Sequence, residues 1–569
     1  MPGKMRIIQI AFFLLTGFLV GEVIAQDQTD AQGEIEDVQV IIEKDKPLEL
    51  PKANRLYERS QVTPLEKNGT EQVDFDVNEP SYKSETFKPK FEPKPVVFRS
   101  EEDFFNNYVK VGFGNYLSPL LEAYAGIADR RNNIGFWFRH ESFAKGPVRG
   151  KSSAFAQNQF KLDGDYITRY LKLSPILNYE REGFYYYGYD HEAYELSPTA
   201  LVDRYYQDIA LFQEFRIGTT VETISDKGFN AAVTPSLSRY GMRIKGSNSF
   251  NADNEFSLDG KISYEFENDL SFGVKANSSF ANYKSGESFR RSAILIRPGV
   301  TKDFGILKTE LGVGFGFSKD SASNSYFYPD LMAQFDVNDQ ITVIGEVRGD
   351  LMTNTLGSVY DQNRYLEDSL ALINTNVPLD ISGKVNIQVL DQFWVQGFIG
   401  YEVVKHQLLF KHSKNDTSRF TAVFDPNFGR FEMGGKGVYS LYGHTSVSLS
   451  IALYGYDKDS EPIAWFMPHR KIEFGVENTF VKGLTAKMRI TSLAGIKAPY
   501  TNLNNDPVLA SSFVKLDPIV DMGLDLKYDI VDQVDAFFTL NNIFNQRYMR
   551  YANYPSRGMT VKIGFIFHF

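Results

Sequence analysis

From about residue 104 to its end the chain alternates apolar and polar positions with a period of two. Across residues 256–266, Phe256, Leu258, Gly260, Ile262, Tyr264 and Phe266 take one set of positions, and Ser257, Asp259, Lys261, Ser263 and Glu265 take the other. After the turn Glu267-Asn268-Asp269, Leu270, Phe272, Val274 and Ala276 alternate with Ser271, Gly273, Lys275 and Asn277. Ile341, Val343, Gly345 and Val347 stand likewise against Thr342, Ile344, Glu346 and Arg348. Val520, Met522, Leu524, Leu526 and Tyr528 stand against Asp521, Gly523, Asp525 and Lys527. Successive side chains of a strand point to opposite faces, so each segment predicts a strand with one apolar and one polar wall.

The connections decide between a soluble sandwich and a membrane barrel. Asn338-Asp339-Gln340, Leu390-Asp391-Gln392 and Val531-Asp532-Gln533 are tight turns, whereas 352–378 and 497–515 read as long polar excursions. Short turns on one side and long loops on the other predict an antiparallel transmembrane β-barrel with its short turns in the periplasm. Counting the connections gives about 22 strands, with both barrel ends on the periplasmic side as an even count requires. The last strand is the most specific signal. Met559, Val561, Ile563, Phe565, Phe567 and Phe569 share one face, and Phe565, Phe567 and Phe569 are expected to close the barrel against its first strand. Ile566 is the one apolar residue on the opposite face.

Composition fits this reading. Phe and Tyr number 47 and 32 while Trp numbers 3, and mean hydropathy lies on the polar side of zero. A barrel strand shows lipid only at every second residue and collects aromatics at both interfaces, so low hydropathy and many aromatics coexist. The net charge of −10 carries no nucleic-acid footprint. No apolar run after the N-terminus is long enough for a membrane helix.

The region before the barrel has a different character. Lys4 and Arg6, the apolar run Ile7 to Val20 and the exit Val23-Ile24-Ala25 have the layout of a secretory signal peptide over residues 1–25, with Gln26 as the mature N-terminus. The absence of Cys rules out lipoprotein processing and disulfides. Residues 26–103 are polar and Pro-punctuated, as in Lys88-Pro89-Lys90-Phe91-Glu92-Pro93-Lys94-Pro95, and predict a mostly extended periplasmic segment. Within it Val38, Val40, Ile41 and Ile42 form a short strand without a local partner, a candidate for pairing with a periplasmic partner or with the lumen wall, while a surface lipoprotein is a further candidate partner of the protein as a whole.

Several motifs resemble the barrel half of TonB-dependent outer-membrane receptors. Leu540-Asn541-Asn542-Ile543-Phe544-Asn545-Gln546-Arg547-Tyr548 is similar to that family's penultimate strand, and 558–569 resembles its closing strand. Gly114-Asn115-Tyr116-Leu117-Ser118-Pro119 resembles its opening strand. The resemblance spans about 104–569 and implies a transport barrel in outer-membrane lipid, built by the barrel-assembly machinery. It also implies comparing Val38 to Ile42 with the box that engages a TonB-like partner. It does not extend to a globular plug, for which 26–103 are too few.

Candidate chemistry is sparse. The seven His residues show no metal-type spacing beyond His406 and His412. Arg139-His140-Glu141-Ser142 and Asp190-His191-Glu192 place polar groups together at strand ends, and Asp457-Lys458-Asp459-Ser460-Glu461 offers oxygens to a cation. Ordinary rim and loop polarity accounts for each, so no enzyme, cofactor or metal site is expected. The polar wall is expected to line the lumen with both signs of charge: Lys261, Glu265, Lys275, Glu346, Arg348, Asp521, Asp525 and Lys527. Three roles follow from these features. The first is a passive or partner-assisted channel, or a subunit of a larger outer-membrane assembly. The second is an energised receptor with its plug reduced to 26–103. The third, carried least, is an outer-membrane hydrolase.

Overall fold

The computed structural model describes residues 107–569 apart from Arg130, 190–207, 225–227, 246–249, Glu267, 442–443, Lys482 and 500–512. The expected signal peptide, the 26–103 segment with Val38 to Ile42, and Asp190-His191-Glu192 lie outside the described residues.

Fifteen strands follow one another around the wall. They are β1 (Tyr108–Gly114), β2 (Ser118–Ala128), β3 (Asn132–Phe143), β4 (Phe155–Ile167), β5 (Leu171–Tyr185), β6 (Ile209–Thr223), β7 (Phe229–Ile244) and β8 (Phe250–Glu265). Then come β9 (Leu270–Ser285), β10 (Glu287–Asp303), β11 (Leu307–Lys319), β12 (Ser323–Asn338), β13 (Ile341–Met352), β14 (Thr375–Leu390) and β15 (Phe393–Lys405). A two-stranded hairpin, β16 (Gln407–His412) and β17 (Phe420–Asp425), stands apart from the wall. The wall resumes with β18 (Phe428–Leu441), β19 (Thr445–Lys458), β20 (Arg470–Val481) and β21 (Leu484–Ala494). A second detached hairpin, β22 (Lys497–Pro499) and β23 (Phe513–Lys515), precedes β24 (Ile519–Val531), β25 (Val534–Asn541) and β26 (Thr560–His568).

Sheet order and pairing give a closed antiparallel barrel of 22 strands, as expected. Its seam joins β1 to β26 from Tyr108↔His568 to Gly114↔Lys562, with Val111 opposite Phe565 and Val109 opposite Phe567. Phe569 extends the seam, its N–H donating to the carbonyl of Asn107 at 3.0 Å. Phe565, Phe567 and Phe569 are exposed on the outward face. Ile566 is buried on the inner face with Leu120 and Phe537, which accounts for its place in the polar row. Gly112 and Gly564 meet across the same seam, where a Cβ on Gly564 would run into the Val111 carbonyl and the Phe537 ring.

The resemblance motifs sit differently from expectation. Gly114 to Pro119 is not the opening strand but the turn from β1 into β2, with Tyr116 and Leu117 left-handed at φ 58 and 51°. The opening strand is the preceding Tyr108–Gly114. Asn115 ties that turn to β26, donating to the Met559 carbonyl at 2.8 Å and accepting from the Val561 N–H at 3.0 Å. Leu540 to Tyr548 likewise starts in β25 but leaves it after Asn541. The connections on the periplasmic side are short, as expected, but those on the outer side are not all long. On the outer side, 115–117, 245–249, Gly286 and 320–322 are also short.

Candidate functional site: a lumen capped by its own loops

Several of the remaining, longer outer connections have described residues that pack against the inner face of the wall. The 353–374 loop carries a short helix, α1 (Leu356–Gln362), started by a capping box between Thr355 and Ser358. Leu356, Val359 and Tyr360 recur at helical spacing and are buried, as are Leu366, Leu370 and Leu372 further on. The β16–β17 hairpin adds Leu408, Leu409, Phe410, Phe420 and Ala422, the 459–469 loop adds Trp465 and Phe466, and the 542–559 loop adds Tyr551, Ala552 and Tyr554. Together with Ile496, Ala498 and Leu516 they form one buried cluster against Phe184, Phe212, Tyr240, Met242 and Tyr283 of the wall. With Tyr186 from the connection after β5, six loops distant in sequence thus make one apolar core across the outer mouth.

Stacking shows how closely the cap fits. Phe212 of the wall and Tyr360 of α1 lie 3.6 Å apart at 4°, and Tyr365 and Tyr554 lie 3.5 Å apart at 19°. Phe420 packs edge-on against Phe466 at 5.5 Å. Three buried phenols find partners on another segment: Tyr186 donates to the Leu366 carbonyl at 2.6 Å, Tyr554 to the Ser418 carbonyl, and Tyr360 to Glu182. Burial pushes the hydroxyls of Tyr186, Tyr187, Tyr360 and Tyr554 well above the usual phenol range. They remain neutral donors.

Two ionic ties pin the cap. Arg291 of β10 and Asp253 of β8 pair at 2.7 Å with both side chains fully buried. Asp253 also accepts from the Leu356 N–H at 2.8 Å, and Arg291 donates to the Asn354 carbonyl, so the pair holds the start of α1. Arg419 reaches Asp208 and Asp368 at 2.7 Å and Asp416 at 3.1 Å, and lies over the Tyr186 ring. One guanidinium therefore joins three loops. Under the cap, on its lumen side, a cavity of about 530 Å³ is lined by Glu180, Glu214, Asp361, Arg364 and Arg557 among others.

His412 is buried within the cap. Its Nδ1 lies 2.7 Å from the Thr417 carbonyl, and its ring packs 4.6 Å from Phe420. Burial pushes its pKa down to about 4, outweighing the Thr417 hydrogen bond. An unfolded His titrates near ~6.5. The depressed pKa therefore leaves the cap at full stability above about pH 6.5 and removes up to roughly 3 kcal/mol as pH falls toward 4. Amide exchange across 407–425, corrected for intrinsic rate, should rise over that interval and be flat in His412→Phe. A flat response in the unaltered protein would contradict the role given to His412.

The eight candidate lumen residues share a wall face with the residues that meet the cap. On β8, Lys261 and Glu265 keep the parity of Asp253; on β9, Lys275 keeps that of Tyr283, whose hydroxyl meets the Leu370 N–H at 3.3 Å. Lys275 pairs with Glu310, and Arg348 reaches Asp330 at 3.2 Å, Glu310 at 3.6 Å and Glu346 at 3.9 Å. Arg489 meets Asp525 at 3.1 Å, and Lys527 meets Asp535 at 3.0 Å. Asp521 accepts from the Tyr548 hydroxyl at 2.8 Å and the Asn542 N–H at 3.1 Å. The charges of this wall are therefore largely spent on one another.

The remaining candidates are dispersed. In Arg139-His140-Glu141-Ser142, Arg139 and Glu141 pair on the inner face, whereas His140 and Ser142 take the outward positions between them. Ser142 lies 3.3 Å from His140, and His140 lies 2.8 Å from Asn158. Glu461 is taken up by Lys411 at 2.6 Å and Trp465 at 2.7 Å, and Asp459 by Asn427 at 2.6 Å. Among the described residues no group of three or more His, Asp or Glu is placed to hold a metal. The Asn-rich motif proves to be the hinge of the last loop. Asn542, left-handed at φ 50°, donates to the Gln546 and Arg557 carbonyls at 2.7 and 2.8 Å. It thereby holds both ends of 542–559 together at the top of β25.

No protein-family profile and no curated protein matches the chain. By structure, the barrel has the architecture of TonB-dependent outer-membrane receptors. It is similar to the FrpB iron transporter of Neisseria meningitidis, with a TM-score of 0.64 and 9% identity over 82% of this chain and 81% of that one. It is also similar to FpvA of P. aeruginosa, solved with a heterologous pyoverdine and iron, with a TM-score of 0.60 and 12% identity over 82% and 72% of the two chains. The siderophore receptor PirA of Acinetobacter baumannii aligns with a TM-score of 0.59 and 10% identity over 82% and 80%. These neighbours are transport receptors rather than enzymes.

Proposed function

We propose that this chain is a transport component of the outer membrane whose external opening is held shut by its own loops, and which exchanges material in concert with a periplasmic partner. The observation that supports this most is the single apolar core shared by six outer loops and the barrel wall. An uncapped barrel of about 22 strands encloses a wide lumen, which in transporters of this size is plugged. Loops that bury tyrosines and a paired Arg291–Asp253 across the mouth supply such a block from the outside. In this reading residues 26–103 are free to serve as a tether, and Val38, Val40, Ile41 and Ile42 add a strand to the partner. A TonB-type protein is one such partner.

Deletion of residues 30–95 tests this division of labour. Conductance in planar bilayers should stay nearly unchanged, because the loops remain in place, while co-purification of the periplasmic partner is lost. A large jump in conductance and antibiotic sensitivity would instead make the segment a plug, and would favour the energised receptor with a reduced plug.

A further inference from the structure

Over β5 to β11 the outward face of the wall carries charge of one sign. On β5 to β11 the outward positions are those that alternate with the cap-facing and lumen-facing residues. Arg181 stands next to buried Glu182, Arg239 next to buried Tyr240, and Arg290 next to buried Arg291. Toward the outer ends of these strands the outward positions hold six exposed cations: Arg181, Arg239, Arg243, Lys284, Arg290 and Lys319. No outward position of these seven strands is Asp or Glu; Glu180, Glu214, Asp253, Glu255, Asp259 and Glu310 all point inward. Among the described residues none of the six cations forms an ion pair, although Arg243 lies over the Phe250 ring at 5.9 Å. A surface shaped only by solubility would mix the two signs.

Register places these cations side by side. Arg181 and Lys284 fall in one cross-strand row, through Gln213, Gly241 and Ala252. Arg239 and Arg290 fall in the row beneath, through Asn254 and Asn282. Strands are spaced at about 4.8 Å, so β5 to β11 span roughly 29 Å, wide enough for more than one lipid headgroup. Below the cations the same face turns apolar, with Phe215, Leu237, Phe256, Phe280 and Phe317 exposed. The outer connections of this stretch after β7 are short, 245–249, Gly286 and 320–322, so little chain stands over the strand ends.

We propose that this belt binds the phosphate groups of an anionic lipid in the outer leaflet, with acyl chains lying along the apolar face beneath. Guanidinium and ammonium groups over an apolar wall match a phosphorylated headgroup over its chains, and the carboxamides of Asn254 and Asn282 supply neutral donors between the cations. An acidic protein would match the cations but not the apolar band directly below them.

The test uses the full-length protein purified in a non-ionic detergent. Bisphosphoryl lipid A is titrated against it by native mass spectrometry, with the dephosphorylated glycolipid as the comparison. Each cation near an anionic headgroup contributes about fivefold. The phosphorylated probe should therefore bind the unaltered protein at least about tenfold more tightly than the dephosphorylated one. Arg181→Gln, Arg239→Gln, Lys284→Gln and Arg290→Gln together should lower binding by roughly several hundredfold. Lys261→Gln with Lys275→Gln, which alters the inner face, should leave it unchanged. Equal binding of the two lipids by the unaltered protein would overturn the proposal, as would undiminished binding by the four-site variant. Should that variant not assemble, the comparison of the two lipids on the unaltered protein still decides.

Discussion

Arg291→Met should release the 353–374 loop from the barrel wall while leaving the sheet intact. The variant keeps the length of the side chain but strands Asp253, a fully buried carboxylate left with only the Leu356 N–H as partner. Breaking a buried pair in this one-sided way costs about 3–5 kcal/mol. The cost falls on the cap, because strands β8 and β10 are held by continuous ladders on both sides and lose no backbone hydrogen bond. Trypsin should then cut at Arg364, which in the folded cap is engaged with Glu182 and lies over the Phe155 ring. Heat-modifiable migration on gels should persist. Asp253→Asn combined with Arg291→Met removes the stranded charge and should recover a large part of the protection. Resistance of the single variant equal to that of the unaltered protein would mean that the pair does not hold the loop.

The second large effect concerns closure. Phe565→Asp with Phe567→Asp places two carboxylates on the lipid face of the seam, opposite Val111 and Val109. A basic residue at the bilayer midplane costs about 2–4 kcal/mol, and an acidic one or one nearer the interface costs less. The greater consequence is for assembly, since β26 is the strand on which the sheet closes and, among the described residues, no other element pairs with that edge of β1. The double variant should lose heat-modifiable migration and be degraded in the periplasm. Normal assembly would count against the seam as described.

Much of this wall was legible in the sequence because a strand half in lipid must alternate. The period of two in 256–277, 341–348 and 520–528 corresponds to β8, β9, β13 and β24, and the aromatic row ending at Phe569 corresponds to β26. The cap was not legible in the same way. Its residues follow no shared period, and its contacts join positions as far apart as Tyr186 and Leu366 or Tyr551 and Gln362. The 352–378 stretch reads as polar from its many Asp and Asn residues, yet Leu356, Val359 and Tyr360 at helical spacing mark a buried helix face there. The density of Tyr in 185–189 and 548–554 was a further signal that these segments were not plain solvent loops. The opening strand was misplaced for a local reason. Gly114 to Pro119 ends one short strand and begins the next, and only the left-handed Tyr116 and Leu117 reveal the turn between them.

The most direct test of a self-capped lumen is single-channel recording of the purified full-length protein in a planar bilayer at neutral pH, beside Arg291→Met. The unaltered barrel should stay closed or pass only brief, small currents, and Arg291→Met should show long openings of the size expected for a wide lumen of about 22 strands. Large, steady conductance in the unaltered protein, unchanged by Arg291→Met, would contradict the account.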